Sequence, residues 1–266
     1  KDRQIKAVGL QETWSVTPNS IDMEEIDGYL AIHHGETTKT CKRGRNGVCI
    51  ILDPEMRAAW ASGGSKLHHS NNGRVLTVDI PIQGGKHLKV TSAYSPCSGR
   101  ISTERQAFFD DVSVQTQSSN SADINAVFID GNASMGVGVP AKDRPHDSHA
   151  SLGPYWKRHV NRAGHELREF LQGECLASAA TFCRAKGDHY ATWTHPKTKL
   201  EYQLDHFLVK RSQLGRVQKV CVRPEIMVES DHFPLFVEIR VRRMLRRQSA
   251  RRTIRPANLV ALRDPE

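Results

Sequence analysis

Short apolar segments of strand length recur along most of this chain, and this pattern constrains its fold more than any other feature. Segments rich in Val, Ile, Leu and Phe that are bounded by Gly, Pro, Asp or Asn are typical of β-strands. The turn Gln83-Gly84-Gly85 lies between two of them and predicts a β-hairpin. We predict strands at Ile5–Leu10, Gly47–Leu52, Arg74–Ile82, His87–Ser95, Ile124–Asp130, Tyr190–Thr194, Glu201–Lys210, Arg216–Val222 and Pro234–Val241.

Two segments have the pattern of helices. Ser102–Gln117 begins with residues that favour a helix N-terminus, and Val160–Leu171 is followed by Gly173, which favours a helix end. Between them, residues 133–157 form a long loop rich in Gly, Pro, His and Asp. Many strands with few helices indicate a layered α/β sandwich. The sequence contains neither G-x-G-x-x-G nor G-x-x-x-x-G-K-[ST], so a nucleotide-cofactor fold is not favoured.

The composition excludes several classes of protein. The chain has 266 residues, of which 38% are apolar and 25% charged, which argues against collagen, a mainly disordered chain and a membrane protein. No apolar run approaches the roughly 18 residues of a membrane span, and no signal-peptide pattern opens the chain. The six cysteines form no C-x-x-C pair, which favours reduced thiols in an intracellular protein over a zinc site. Because Lys1 is the first residue, we expect a piece of a longer product.

The positive charge is concentrated at the C-terminus. Residues 240–266 contain nine Arg against two acidic residues, a net charge of +7, whereas residues 1–239 contain 29 Lys and Arg against 27 Asp and Glu. We therefore predict a folded domain at 1–239 and a basic linker or tail at 240–266 that binds nucleic-acid phosphates. DNA is the expected partner and RNA a further candidate, while a solvated helix face or plain linker is the alternative. The candidate substrate-binding residues of the tail are Arg242, Arg243, Arg246 and Arg247.

Acidic or amide residues stand at the ends of four predicted strands. A single Asp at a strand end is more often a turn residue than a catalyst, and a single Ser-Asp-His sequence is usually a loop. Four such ends in this order and spacing favour an active site. The four sequences are Gly9-Leu10-Gln11-Glu12-Thr13, Phe128-Ile129-Asp130-Gly131-Asn132-Ala133, Gln203-Leu204-Asp205-His206-Phe207 and Glu229-Ser230-Asp231-His232-Phe233-Pro234-Leu235.

Together with Ser92–Pro96 and Ala191–Thr194, these sequences resemble the endonuclease/exonuclease/phosphatase superfamily over about residues 5–239. Ala191–Pro196 and Gln203–Val209 are most similar to the apurinic-like endonuclease domain of non-LTR retrotransposons. Leu262–Glu266, after the basic stretch, resembles the linker toward a reverse transcriptase domain. The resemblance implies a DNase I-like fold, a four-layer α/β sandwich in which two mixed β-sheets are flanked by helices.

The resemblance also implies a role for each site residue. Phosphodiester hydrolysis needs a divalent metal, an activated water and neutralisation of the developing charge. The hard oxygen atoms of the implied metal ligands suit Mg²⁺ or Mn²⁺. The implied roles are metal binding for Glu12 and Asp231, water activation for Asp130, phosphate or nucleophile binding for Asn132, phosphate contact for Tyr94, a charge-stabilising pair for Asp205 and His232, and a site-lining hydroxyl for Thr192.

Two local expectations follow from these assignments. Alternation along an extended segment should point Asp130 and Asn132 to the same side. A carboxylate on one imidazole nitrogen should favour the cationic form of His232. Trp193, next to Thr192, is equally well explained as a site residue or as a packing residue.

The sequence departs from the family pattern at its beginning. The family's first strand carries an Asn that helps to ligate metal or phosphate, and residues 1–11 contain no Asn, so that N-terminal strand is expected to be missing. The usual Gly-Asp-Phe-Asn is replaced by Ile129-Asp130-Gly131-Asn132, in which the Asp-x-Asn spacing is kept. The histidine pairs His33-His34 and His68-His69 are expected at the surface, since adjacent side chains on a strand point apart.

The function implied by the resemblance is metal-dependent nicking of one strand of DNA by the endonuclease domain of a retrotransposon. It implies an intracellular, nuclear protein with no membrane partner. Two alternatives remain open at this stage. One is a phosphatase acting on phosphoinositides or other small phosphoesters, and the other is a catalytically dead relic that only binds nucleic acid.

Overall fold

The computed structural model describes residues 4–15, 20–36, 45–97, 99–117, 123–136, 151–155, 159–184, 190–226 and 230–241. In this part of the chain the α-helices are α1 (Pro54–Ser62), α2 (Ser102–Thr116) and α3 (Arg162–Gly173). The strands are β1 (Ala7–Gln11), β2 (Ile21–Ile26), β3 (Tyr29–Glu36), β4 (Arg45–Leu52), β5 (Leu67–His69), β6 (Val75–Ile82), β7 (Lys86–Tyr94), β8 (Ile124–Asp130), β9 (Leu176–Ser178), β10 (Trp193–Thr194), β11 (Glu201–Tyr202), β12 (Asp205–Lys210), β13 (Val217–Val222) and β14 (Leu235–Ile239).

Most of the strands belong to two large sheets. The first sheet has the order β1-β4-β3-β2 and is antiparallel. The second has the order β5-β6-β7-β8-β12-β9 and is mixed, because β7 and β8 pair in parallel while its other neighbours are antiparallel. Two further pairs, β10–β11 and β13–β14, form small antiparallel hairpins.

The two large sheets pack face to face around one apolar core. Ile32 and Ile50 of the first sheet share this core with Leu76 and Phe207 of the second. Helix α1 contributes to the same core, and so does the β13–β14 pair. At one point the sheets approach so closely that a Cβ on Gly9 would lie 2.8 Å from the Cβ of Phe128. This contact fixes the end of β1 against β8, where the acidic residues lie.

Helices α2 and α3 cover the opposite face of the second sheet. Phe108 and Leu167, from the two helices, are fully buried against Val127 and Leu208. Phe207 faces the inter-sheet core and Leu208 faces the helices, as alternation along a strand requires. The arrangement is a mixed α/β sandwich, so the fold class predicted from the sequence is confirmed.

Several elements differ from the sequence prediction. Strand β2 was not predicted, because it is an edge strand whose residues are mostly exposed and include Asp22, Glu24 and Glu25. Such charges protect an edge from further pairing but remove the apolar pattern of a buried strand. The predicted strand Glu201–Lys210 is divided into β11 and β12.

His34 contradicts the expectation of a surface histidine. It is 1% exposed, and its Nδ1 and Nε2 lie 2.6 Å and 2.7 Å from the carbonyl oxygens of Ser20 and Ser70. Burial lowers the pKa of His34, although the two carbonyl contacts oppose this. The residue joins the first sheet to the turn before β6.

The described strands leave β1 at an edge of the first sheet, paired with β4 alone. Ile5, just before this strand, and Leu10, on it, are 49% and 39% exposed. Across the described residues, no helix is both long and apolar enough to cross a membrane.

Candidate active site

Three chemically active residues stand side by side at one end of the second sheet. Tyr94 ends β7, Asp130 ends β8 and Asp205 begins β12. Asp130 lies opposite Tyr94 in the parallel pairing and opposite Asp205 in the antiparallel pairing. The sheet register therefore places Asp130 in the middle of a row that was only a set of separate motifs in the sequence.

Asp130 is an almost fully buried carboxylate with one backbone donor. It is 2% exposed, and its Oδ1 accepts a hydrogen bond of 2.9 Å from the amide of Asn132. Burial raises the pKa of Asp130 well above its ordinary value, and the negative charges of Asp205 and Glu12 raise it further. The charge of His232 and the Asn132 amide act in the opposite direction. The local environment thus penalises an uncompensated negative charge on Asp130.

Asn132 reaches Asp130 by a tight turn. The expectation that strand alternation aligns the two residues is wrong, because β8 ends at Asp130 and Asn132 adopts a left-handed φ of 46°. Its side-chain Nδ2 donates to the carbonyl oxygen of Ser95 at 3.0 Å. The structure therefore brings Asn132 next to Asp130 through the backbone, with its side chain tied to the loop after β7.

Asp205 and His232 form a close pair. Oδ2 of Asp205 lies 2.8 Å from Nδ1 of His232. Burial lowers the pKa of His232, but the hydrogen bond and charge of Asp205, together with the charges of Asp130 and Asp231, outweigh it and raise the pKa to about 9. His232 is therefore a cation at neutral pH, held by a carboxylate on one nitrogen.

Asp231 and Trp193 are joined beside this pair. The indole Nε1 of Trp193 donates to Oδ2 of Asp231 at 2.7 Å, and the backbones of Trp193 and His232 form an antiparallel bridge. Asp231 itself is exposed. Of the two explanations for Trp193, the structure favours a site residue, since its indole orients an acidic side chain at the site.

Thr192 requires a correction. It is 0% exposed, and its Oγ1 accepts hydrogen bonds of 3.0 Å from the backbone amides of both Leu204 and Asp205. A side chain in this position cannot line the substrate surface. Thr192 instead fixes the backbone at the start of β12 and so positions the Asp205 carboxylate.

Glu12 comes from the first sheet and meets the row at Tyr94. Burial raises the pKa of the Tyr94 hydroxyl, and so do its hydrogen bond to Glu12 and the charges of Glu12 and Asp130. On the preceding residue, Gln11 donates from Nε2 to the hydroxyl of Ser92 at 2.9 Å. The site is therefore assembled from both sheets.

Arg74 is a neighbour of the site that the sequence did not reveal. Its guanidinium lies 5.1 Å from the centre of the Tyr94 ring, and Nη1 donates to the Tyr94 carbonyl oxygen at 3.1 Å. The positive charge of Arg74 partly offsets the causes that raise the pKa of Tyr94. The sequence does not indicate that Arg74 lies beside Tyr94, because their contact depends on the pairing of β6 with β7.

The donor set of the site fits a hard divalent cation. One ligand atom from each of Asp130, Asp205 and His232 lies within 4.8 Å of the others. Because His232 is cationic, the carboxylates of Asp130 and Asp205 are the members of this group that suit a metal ion. Glu12 and Asp231, the residues expected to bind metal, do not belong to this group of three. Glu12 contacts the row through Tyr94, and Asp231 precedes His232 and accepts from the Trp193 indole. Oxygen-rich, net negative clusters suit Mg²⁺ or Mn²⁺, and a bound cation would offset the burial and the neighbouring negative charges that raise the pKa of Asp130.

The remaining candidate residues belong to the part of the chain that the structure does not describe. Arg242, Arg243, Arg246 and Arg247 fall outside the described residues. Free thiols are found at Cys49, Cys97, Cys175, Cys183 and Cys221.

Solved structures with the same architecture define the class of this fold. The AP endonuclease LMAP from Leishmania major matches with a TM-score of 0.61 and 17% identity, covering 89% of this chain and 78% of that one. The 3′ phosphatase NExo from Neisseria, bound to a product DNA hairpin, matches with a TM-score of 0.58 and 14% identity over 90% and 91% of the two chains. The fold is therefore that of the DNase I-like endonuclease/exonuclease/phosphatase proteins.

A retrotransposon domain shares this fold as well. The endonuclease domain of TRAS1, a telomere-specific non-LTR retrotransposon, matches with a TM-score of 0.51 and 12% identity over 79% of this chain and 80% of that one. Its TM-score is below that of LMAP, so the match supports the common fold and does not single out the retrotransposon branch.

Curated relatives exist at lower coverage. The chain is 25% identical over 199 residues to craniofacial development protein 2 of Bos taurus and 24% identical to that of Tragulus javanicus. The alignments cover 74% of this chain but only 31% and 32% of those proteins, so the chain spans about a third of their length. No family model matches the chain.

Proposed function

We propose that this chain hydrolyses phosphodiester bonds in DNA with the help of a divalent metal ion and cuts one strand of the duplex. The observation that carries the proposal is the row Tyr94–Asp130–Asp205, completed by His232 on one side and by Glu12 on the other. A carboxylate base, a cationic imidazole and a cluster of oxygen ligands are the groups that this reaction needs.

Asp130 is the residue best placed to activate water. It lies in the centre of the row and is flanked by an acid–imidazole pair, so a water hydrogen-bonded to its carboxylate would transfer a proton to it during attack on phosphorus. The P–O3′ bond breaks in the same displacement, and the leaving O3′ takes a proton from solvent water. The products are a 3′-hydroxyl and a 5′-phosphate. The backbone amide of Asn132 keeps the carboxylate oriented for this step.

His232 is assigned to charge stabilisation. With its pKa raised to about 9, the imidazole is cationic at neutral pH and can donate from Nε2 to a non-bridging phosphate oxygen. Asp205 holds the ring in place through Nδ1. Asp231 lies next to it, oriented by the Trp193 indole.

The remaining side chains bind the metal ion and the phosphate. Glu12 and Asp231 are the proposed metal ligands, and a bound Mg²⁺ or Mn²⁺ would supply Lewis-acid polarisation of the phosphate. Tyr94 and Asn132 contact the phosphate from the β7 and β8 ends of the row. The acidic cluster requires such a cation before a polyanionic substrate can approach without repulsion.

DNA is favoured as substrate by three features. The neighbours LMAP, NExo and TRAS1 are named for an AP endonuclease, a 3′ phosphatase bound to a DNA hairpin and an endonuclease domain. The Arg-rich segment 240–266 suits backbone phosphates. The sequences Ala191–Pro196 and Gln203–Val209 favour a retrotransposon endonuclease, in which the new 3′ end would prime reverse transcription in the parent protein in the nucleus.

The decisive experiment is nicking of supercoiled plasmid. We expect conversion to the relaxed form with Mg²⁺ or Mn²⁺ and none with EDTA. Asp130→Ala and His232→Ala should each lower the rate on the order of 10²–10⁴-fold. A matched control is His87→Ala, which removes another His–Asp pair, His87 Nδ1 to Asp79 Oδ1 at 2.5 Å, on the β6–β7 hairpin.

The same preparations separate the alternatives. Release of phosphate from a phosphoinositide or a small phosphomonoester, without plasmid nicking, would assign the site to a phosphatase. DNA binding without turnover at any metal concentration would assign a binding role. Equal nicking by wild type and by both site variants would remove the assignment of Asp130 and His232.

A further inference from the structure

A single amide side chain connects helix α3 to the turn that carries Asp130 and Asn132. Asn161 is the N-cap residue of α3, and its Oδ1 accepts the backbone amides of Gly164 at 2.7 Å and Ser134 at 3.0 Å. Its Nδ2 donates to the carbonyl oxygen of Asn132 at 3.0 Å. The oxygen therefore caps the helix, and the nitrogen holds the site turn.

The segment on the other side of this connection belongs to the active site. Asn132 has a left-handed backbone, and its amide donates to the Asp130 carboxylate at 2.9 Å. A non-glycine residue in this conformation is strained unless its surroundings hold it. Two hydrogen bonds provide that restraint. Nδ2 of Asn161 donates to the carbonyl oxygen of Asn132, and Nδ2 of Asn132 donates to the carbonyl oxygen of Ser95.

The contact between α3 and the site turn is also too tight to shift. A Cβ on Gly164 would lie 2.0 Å from the carbonyl oxygen of Ser134, so the helix backbone packs directly on the segment that follows Asn132. The amide of Asn161 donates to the same Ser134 oxygen at 3.1 Å. Helix α3 is thus a fixed support against which Asn132 is placed.

We propose that Asn161 is a positioning residue for the hydrolytic reaction, acting by holding Asn132 and through it the Asp130 carboxylate. This inference rests on the function proposed above. Other residues that favour the N-cap position, such as Ser and Asp, offer the capping oxygen, but at neutral pH Asp has no donor for the Asn132 carbonyl and Ser has a shorter side chain. Asn provides both the oxygen that caps α3 and the nitrogen that donates to the Asn132 carbonyl.

The test uses the full chain with Asn161→Ser, Asn161→Asp and Asn161→Ala. Ser and Asp keep the capping oxygen, so their thermal unfolding should stay close to that of the wild type, whereas Ala should lower it. All three should lower kcat for plasmid nicking roughly 10–100-fold with little change in KM, because a misplacement of about 1 Å is costly in the transition state.

Asp53→Ala is the matched control for removal of the helix cap. Asp53 is the N-cap of α1, where Oδ1 accepts the Met56 amide at 2.8 Å, and α1 contributes no residue to the site. Its Oδ2 also accepts from Nζ of Lys6 at 2.8 Å, so Lys6→Met is measured beside it to separate that contact from the cap. Asp53→Ala should lower thermal stability as Asn161→Ala does and leave kcat unchanged. A wild-type kcat in Asn161→Ser and Asn161→Asp, or an equal loss of kcat in Asp53→Ala, would overturn the proposal.

A second measurement does not depend on activity. Hydrogen exchange of the Asn132 backbone amide, measured by NMR without metal, should be faster in Asn161→Ser than in wild type and in Asp53→Ala. If wild type cleaves no DNA but this difference is seen, the structural coupling stands and the proposed function fails. Unchanged exchange in Asn161→Ser overturns the coupling itself.

Discussion

Oδ2 of Asp205 lies 2.8 Å from Nδ1 of His232, and this contact joins the first residue of β12 to the residue that follows the exposed Asp231. The two residues are 27 positions apart in the sequence, and His232 lies between β13 and β14. The pair therefore has both a chemical consequence, the cationic state of His232, and a structural one.

The stability of the fold should depend on the protonation of His232. The pKa of His232 is raised from 6.5 to about 9 in the folded chain. The Asp205–His232 pair therefore stabilises the fold fully at pH values below 6.5, and this stabilisation is lost as pH rises through about 9. We expect the difference in free energy of unfolding between wild type and His232→Gln, measured with urea in EDTA, to shrink across that range. A difference that stays constant would show that the pair is not ionic.

Asp130→Asn should give a more stable but inactive protein at neutral pH. The pKa of Asp130 is raised from 3.8 by burial, Asp205 and Glu12, so the ionised carboxylate destabilises the folded chain as pH rises above that value. The neutral amide avoids this cost and can still accept the Asn132 amide. Nicking should fall on the order of 10²–10⁴-fold.

The comparison for this variant is thermal unfolding without metal at neutral and at acidic pH. The stability advantage of Asp130→Asn should disappear where the wild-type carboxylate is protonated in both states. Added Mg²⁺ should raise the unfolding temperature of the wild type more than that of the variant. A variant less stable than the wild type at neutral pH would contradict the inferred cost of a buried, charged Asp130.

Thr192→Val should destabilise the chain and weaken catalysis together. Val has nearly the same shape but no oxygen, so the buried amides of Leu204 and Asp205 lose their acceptor, at a cost of about 1–3 kcal/mol in free energy of unfolding. Thr192→Ser keeps the acceptor and is the matched control. Urea unfolding and nicking rates check both effects, and equal behaviour of the Val and Ser variants would refute the positioning role.

The Arg-rich segment should contribute electrostatic DNA affinity. Replacing Arg242, Arg243, Arg246 and Arg247 by Gln should lower the slope of log affinity against log salt by about 0.9 for each phosphate of duplex DNA that the variant no longer neutralises. Fluorescence anisotropy over a series of salt concentrations measures the slope. Arg57→Gln on α1 is the control, and an unchanged slope in the fourfold variant would show that the segment is only a linker.

Burial imposes a simple pattern that made several central strands predictable, although β3 and helix α1 were not predicted. Ile124–Asp130 was predicted with its observed bounds, since β8 lies between β7 and β12 and needs apolar residues on both faces. Edge strand β2 was not predictable by the same rule. Its exposed acidic side chains satisfy the requirements of an edge, and these conflict with the pattern of a core strand.

The sequence predicted which residues form the site, but it did not predict how they are arranged. A motif identifies Asp130 and Asp205, but their adjacency depends on the register of β8 with β12. The direction of the Thr192 hydroxyl, toward two backbone amides, depends on how β12 begins. Asn161 was not identified at all, because an Asn before a helix is an ordinary capping residue until its second contact is known.

The position of β1 has a consequence for the timing of activity. Among the described strands, β1 pairs with β4 alone, whereas β8 lies inside the six-stranded sheet. Glu12 follows β1, and Asp130 ends β8. Edge strands open locally more often than central strands, without global unfolding. Under the proposed function, we expect each detachment of β1 to withdraw Glu12 from Tyr94. The fraction of molecules able to cleave should then follow the opening equilibrium of one short strand.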